Sequence, residues 1–178
     1  WITEHDDLNR KLKFTLEMIK VSNRIIGVNT HRANRIVEHA LNNKLINEFK
    51  LIKSIKAEFK YSQDTRFDFL CDNKILEVKN VTLLRDNKIA EFPDAVTSRG
   101  SKHLKMLINS MKKGYKPYVL FLTQIQNINE FKIAKDIDAN YYKDYIEAKK
   151  AGVNFLAYRC YLSSKEIKIE KKIKILNE

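Results

Sequence analysis

Two cysteines, Cys71 and Cys160, among 178 residues are too few for a disulfide framework or a cysteine zinc site. They point to a reducing compartment, and so to the cytoplasm. Long apolar runs are also lacking. The best candidate, Tyr118 to Leu122, stops at Thr123 and Gln124, far short of the ~18 residues that a membrane span needs. No membrane partner is expected. Residues Trp1 to Asp7 have no basic start, no apolar stretch and no Met, so they read as neither a signal peptide nor a natural start, and a segment upstream is expected. Acidic residues are scarce as well: 22 Asp and Glu stand against 34 Lys and Arg, a net charge of +12. That surplus favours a polyanionic partner.

Enough apolar side chain remains to build a core. At 44% hydrophobic and 10% aromatic, the chain is excluded from the class of disordered basic tails. The charge is also unevenly placed. No Asp or Glu occurs between Asp94 and Glu130, whereas Arg99, Lys102, Lys105, Lys112, Lys113 and Lys116 all fall in that interval. Within it, Leu104, Leu107, Ile108 and Met111 follow the spacing of a core-facing helical stripe. Lys102, Lys105, Asn109 and Lys112 line a different face, which suits contact with backbone phosphates. A solvated face in a Lys-rich chain is the alternative.

Strands are expected over Trp1 to Glu4, Lys13 to Val21 and Arg24 to Val28, with turns at residues 6–9 and 22–23. Thr30 reads as the cap of a helix with stripe Ala33, Ile36, Val37, Ala40 and Leu41. A three-strand antiparallel meander follows, over Ile52 to Tyr61, Thr65 to Cys71 and Lys74 to Leu84. After the Lys-rich helix, stopped by Gly114 and Pro117, Tyr118 to Leu122 reads as a strand buried on both faces. Asp138 can cap a helix carrying Tyr141, Tyr145 and Ala148, which Gly152 ends before a strand from Val153 to Tyr161. The Lys/Ile alternation after Ser164 reads as an edge strand or tail. This order predicts an α/β fold, a mixed sheet flanked by helices.

The richest stretch chemically is the hairpin Thr65 to Asn80. With Asp72-Asn73 as a two-residue turn, cross-strand partners sum to 145, which sets Asp68 opposite Glu77 and Arg66 opposite Lys79. Alternation then puts these four on one face and Phe67, Phe69, Leu76 and Val78 on the other. Two facing carboxylates, with Cβ atoms ~5 Å apart, repel each other unless a cation lies between them. Oxygen ligands from Asp and Glu suit Mg²⁺ or Mn²⁺, whereas zinc would want His or Cys. Lys79, on the same face, could hold a scissile phosphate or help activate water. A solvent-facing cluster neutralised by Lys79 and Arg66 is the alternative.

An Asp followed after eight residues by Glu-x-Lys, here Asp68, Glu77 and Lys79, resembles the core of the PD-(D/E)XK nuclease superfamily. Further segments carry a closer likeness: Gly27 to Thr30 with Asn34, Arg35 and Glu38; Arg66 to Leu70; Glu77 to Leu83; Phe92 to Leu104; and Ala157 to Cys160. Together, from about Arg10 onward, the chain resembles the bacterial and archaeal sugar fermentation stimulation protein family, SfsA.

The resemblance implies the last strands of an incomplete OB-like barrel over residues 1–28 and a PD-(D/E)XK-like domain over 29–178. It implies non-sequence-specific DNA binding, with Mg²⁺ or Mn²⁺ held by Asp68, Glu77 and Glu38 and catalysis by those residues with Lys79. Arg66, Arg99, Lys102, Lys105 and Lys112 are the expected nucleic-acid contacts. Pro93 and Gly100 would shape a loop bringing Arg99 and Lys102 to the site. A catalytically silent DNA-binding regulator linked to maltose metabolism is the alternative, and a homodimer is left open. His103 is expected to be packed and hydrogen-bonded rather than a ligand, Gln124 to satisfy backbone groups, and Cys160 to be a small buried residue.

Overall fold

A computed structural model of the chain describes residues 1–7, 9–86 and 88–176. Leu8, inside the first expected turn, lies outside the described residues. The centre is a six-stranded mixed sheet in the order β13-β12-β10-β7-β6-β5. Its strands are β5 (Ile55–Ser62), β6 (Thr65–Cys71), β7 (Lys74–Val81), β10 (Lys116–Thr123), β12 (Asn154–Leu162) and β13 (Ile167–Lys172). The meander β5-β6-β7 is antiparallel, β7-β10-β12 is parallel, and β13 runs antiparallel along the edge. Helix α1 (Arg32–Asn42) covers one face, while α2 (Ser98–Met111) and α3 (Ala139–Ala151) cover the other. The expected α/β architecture is therefore present.

Strand β10 shows why both faces are apolar. Tyr118, Leu120 and Leu122 pack toward α1, and Val119 and Phe121 pack toward α2 and α3. Each fully buried aliphatic or aromatic side chain of this kind contributes roughly 1.5–3 kcal/mol. The left-handed turn after the helix falls at Gly114 (φ +82°), and Pro117 follows close behind as the second residue of β10. All five stripe residues of α1 are buried, and Asp138 caps α3 by accepting the Tyr141 N–H at 2.8 Å. Gly152 ends α3 at φ +109°, a conformation that glycine takes without strain.

Several boundaries differ from expectation. Thr30 does not cap α1: the Asn29 side chain accepts the His31 N–H at 3.1 Å, and His31 becomes the capping position. The strand expected over residues 13–21 is split into β2 (Phe14–Leu16) and β3 (Met18–Val21). The break falls at Glu17, where Glu17 N and Met18 N both donate to the Trp1 carbonyl. The segment expected as one strand to Leu84 ends at Val81. Leu83 and Leu84 form β8, which joins β9 (Ile89–Phe92), β11 (Glu130–Ile133) and β14 (Lys174–Ile175) in a second, four-stranded sheet.

At the N-terminal end, β1 (Ile2–Glu4) pairs only with β2, and β3 pairs only with β4 (Arg24–Gly27). Among the described residues these two ladders are separate and form no closed barrel, since strands of three or four residues in separate pairs leave their edges open. Instead β4 docks on the main sheet. Gly27 N donates to the Gln124 carbonyl at 2.8 Å, and a Cβ at Gly27 would sit 2.6 Å from Gln124 Oε1. Glycine is what allows that approach.

Candidate metal and nucleic-acid site

Next to the turn the hairpin register is the expected one, Phe69↔Leu76, Leu70↔Ile75 and Cys71↔Lys74, but the expected pairs Asp68–Glu77 and Arg66–Lys79 are not part of the ladder. Asp72 takes the left-handed turn position at φ +53°, and its carboxylate accepts the Ser54 N–H at 3.0 Å and the Ser54 hydroxyl at 2.9 Å. The pairing of β6 with β7 stops at Phe69. There the Asp68 side chain enters the gap, accepting the Val78 N–H on Oδ2 and the Asn34 amide on Oδ1, each at 2.7 Å. The strict alternation expected for β6 also breaks at this residue. Phe69, Leu76 and Val78 pack toward α1, but Phe67 joins the core under α2, 5.8 Å from the His103 ring. Opposite, Glu58 interrupts β5 at φ +52° between the paired residues Ala57↔Phe69 and Phe59↔Phe67.

Glu77 does not face solvent as a surface hairpin acid would: it is only 4% exposed. Its Oε1 accepts from Lys79 Nζ at 2.7 Å and from His103 Nδ1 at 2.5 Å. Its Oε2 is buried and has no hydrogen-bond partner among the described residues. Burial opposes the charge on Glu77, but the His103 and Lys79 bonds outweigh it and hold the carboxyl below its ordinary value. Asp68 has the opposite fate. Desolvation, reinforced by the neighbouring Glu77 charge, pushes it up to about 6.

Arg66, Arg99 and Lys102 come together as expected. With Lys60, His103 and the turn at residues 62–65 they line a hollow of about 390 Å³ beside Glu77. Arg99 and Lys102 reach it from the start of α2, which Thr97 caps, rather than from a loop. Gly100 is needed there because a Cβ would lie 2.9 Å from Thr97 Cγ2 and 3.0 Å from Tyr141 Cε2. Arg66 is also paired with Glu58 at 3.3 Å.

The remaining expected contacts sit elsewhere. Lys105 lines an adjoining groove between α2 and α3, which Lys102 also borders, and pairs with Asp144 at 3.4 Å. Lys112 is the last cap of α2, ten residues beyond Lys102 and so about 15 Å along the axis. Glu38 is exposed on α1 one turn beyond Asn34, and among the described residues no three His, Cys, Asp or Glu side chains gather closely enough to hold a metal by themselves.

His103 is buried as expected, but its bond goes to the central carboxylate, so it belongs to the site. Asn34 and Tyr141 complete it. The spacing of Asn34, four residues before Glu38, was the available signal for the first. Tyr141 is fully buried with a hydroxyl that has no partner among the described residues, and burial and then the charge of Glu77 push it well above its ordinary value. Gln124 does not serve backbone groups through its side chain: Nε2 donates to Asn80 Oδ1 at 2.6 Å, and Oε1 has no partner among the described residues. Both cysteines are buried and free, and burial pushes Cys71 up to about 12 and Cys160 higher still, which leaves neither a nucleophile. No described helix is long and apolar enough to cross a membrane.

The fold and site define an α/β class: a two-faced mixed sheet with a buried Glu and a half-buried Asp and Lys where two central strands part. Residues 31–166 match the family model described as Sugar fermentation stimulation protein RE domain, and the chain belongs to this SfsA family. It is 61% identical over 181 residues to the sugar fermentation stimulation protein homolog of Pelagibacter ubique (strain HTCC1062), spanning 99% of this chain and 78% of that one. Its identity with the Bartonella quintana (strain Toulouse) homolog is 34% over 183 residues, spanning 100% and 78%. In fold it is similar to SfsA of Pyrococcus furiosus, solved in complex with Ca²⁺, with a TM-score of 0.88 at 24% identity over 99% of this chain and 77% of that one.

Proposed function

We propose that the chain binds the DNA backbone without reading sequence and hydrolyses phosphodiester bonds with Mg²⁺ or Mn²⁺ held by Asp68 and Glu77. The observation that carries this reading is Glu77 Oε2, a buried carboxylate oxygen with no partner among the described residues, beside a second desolvated carboxylate. An all-oxygen donor pair of this kind fits a hard divalent cation. The Pyrococcus furiosus relative was solved with such a cation, Ca²⁺. When bound, the ion supplies positive charge for the phosphate and for the attacking oxygen.

The chain's own residues do the rest. Asn34 and the Val78 N–H fix Asp68, and His103 fixes Glu77. Lys79 places a cation against Glu77, where it can hold the scissile phosphate or assist a proton transfer. Arg66, Arg99 and Lys102 neutralise neighbouring phosphates. Glu38, exposed on α1 one turn beyond Asn34, is the further carboxylate proposed to assist, although it is not gathered with Asp68 and Glu77 here. A catalytically silent DNA-binding regulator is the second reading, and it draws on Lys79 and His103, which already compensate Glu77 without an ion.

Cleavage of plasmid and single-stranded DNA separates the two. The wild type should cut only with Mg²⁺ or Mn²⁺, and Asp68→Asn, Glu77→Gln and Lys79→Met should each lose about a hundredfold or more. Absence of metal-dependent product in the wild type, or equal product in all variants, would leave only the silent binder.

A further inference from the structure

A second cationic hollow, of about 280 Å³, lies where the first turn of α1 meets the strands before it. His5, Arg10, His31, Arg32 and Arg35 line it, with Glu17 as its one acid. Glu17 is committed to Arg32, whose Nη2 donates to Oε1 at 2.8 Å, and to Asn29 at 3.0 Å and Thr3 at 2.9 Å. Arg10 gives only a 3.2 Å hydrogen bond to Thr15, and among the described residues neither Arg10 nor Arg35 has a carboxylate within ion-pair reach. No acidic residue occupies the first turn of α1. Three guanidiniums and two imidazoles therefore line a concavity whose one acid is committed to Arg32.

The position of this hollow matters more than its charge. Arg35 follows Asn34, which holds Asp68; Asp68 takes the Val78 N–H; and the residue before Val78 is Glu77, which takes His103. Arg99 and Lys102, which precede His103 on α2, line the hollow on that side together with it. One run of contacts thus links α1, which bears this hollow, through the two carboxylates to α2, which bears the other.

We propose that the α1 hollow is a phosphate subsite for the same nucleic-acid strand, so that the strand crosses Asp68 and Glu77 with a backbone phosphate bound on either side. This rests on the reading of the site as nucleic-acid-binding and gives that reading a strand path. Arg10 and Arg35 make the phosphate contacts, while Arg32 is held by Glu17 as a wall of the hollow.

The test is fluorescence anisotropy of a labelled 20-nucleotide strand without added metal, over a range of salt. Arg10→Glu with Arg35→Glu should weaken binding roughly tenfold or more and flatten the salt slope by about one to two contacts. Arg35→Gln alone should give a smaller loss, in a variant that removes an exposed charge and no packing. Lys150→Glu, exposed on α3 across the sheet from α1, should leave affinity nearly unchanged. If Lys102→Glu weakens binding but the Arg10/Arg35 pair does no more than Lys150→Glu, the subsite is overturned and the proposed function stands. If the wild type binds no strand at all, both are overturned.

Discussion

Glu17 shows how one side chain can set the acid stability of this fold. It is 6% exposed where β2 gives way to β3, yet its hydrogen bonds to Arg32, opposed by burial and helped by Asn29 and Thr3, hold the carboxyl at about 2 rather than the ordinary 4.5. The sign follows from proton binding. Because the unfolded chain takes up this proton at higher pH than the folded one, the stabilisation is complete above 4.5 and is lost as pH falls toward 2. Arg32 is 37% exposed, so solvent reduces the effect, and on the order of 2 kcal/mol is expected at neutral pH. Urea melts of wild type and Glu17→Gln should differ by that amount at pH 7 and converge toward pH 3. A difference that stays constant across this range would show that Glu17 acts through packing and not through its charge.

At the scale of elements, caps and turns carry much of the specification. Asp138 joins two helices to each other: Oδ1 caps α3 through Tyr141 N, and Oδ2 accepts the N–H of Thr97, the cap of α2, each at 2.8 Å. Asp138→Ala should therefore cost more than a simple cap. About 2–3 kcal/mol is expected in chemical denaturation, against about 1 kcal/mol for Thr97→Ala. Equal losses would mean that the link to Thr97 contributes nothing.

The cap at Asp138 could be read from sequence because it depends on residues a few positions away, as could the β6–β7 register, which the Asp72-Asn73 turn dictates. That register is also what made Asp68, Glu77 and Lys79 recognisable as one group. The break at Asp68 could not be read, because it depends on Asn34 from α1 and on the irregularity at Glu58 in a third strand. His103 was read as packing because its partner is 26 residues away. The four-stranded second sheet was missed for a related reason: β8, β9, β11 and β14 are two to four residues long, and apart from the local β8–β9 pair they are joined across large sequence gaps.

For the whole molecule, a net charge of +12 is informative only once the cations have addresses. Lys105 is turned to Asp144 and Lys112 stands at the far end of α2, whereas Lys60, Arg66, Arg99 and Lys102 line the hollow on the α2 side and Arg10 and Arg35 the hollow on α1. If binding responded to total charge, reversing any exposed lysine would weaken it equally. If it responds to the two hollows, Lys102→Glu should weaken it strongly and Lys112→Glu hardly at all. The number of hollow cations also fixes the salt response. Four to six neutralised phosphates predict a loss of roughly two to three orders of magnitude in DNA affinity between 50 and 200 mM salt. A loss of less than tenfold, with Lys102→Glu and Lys112→Glu equivalent, would reduce the positive charge to a solubility device and remove the backbone contacts that the phosphodiesterase reading needs.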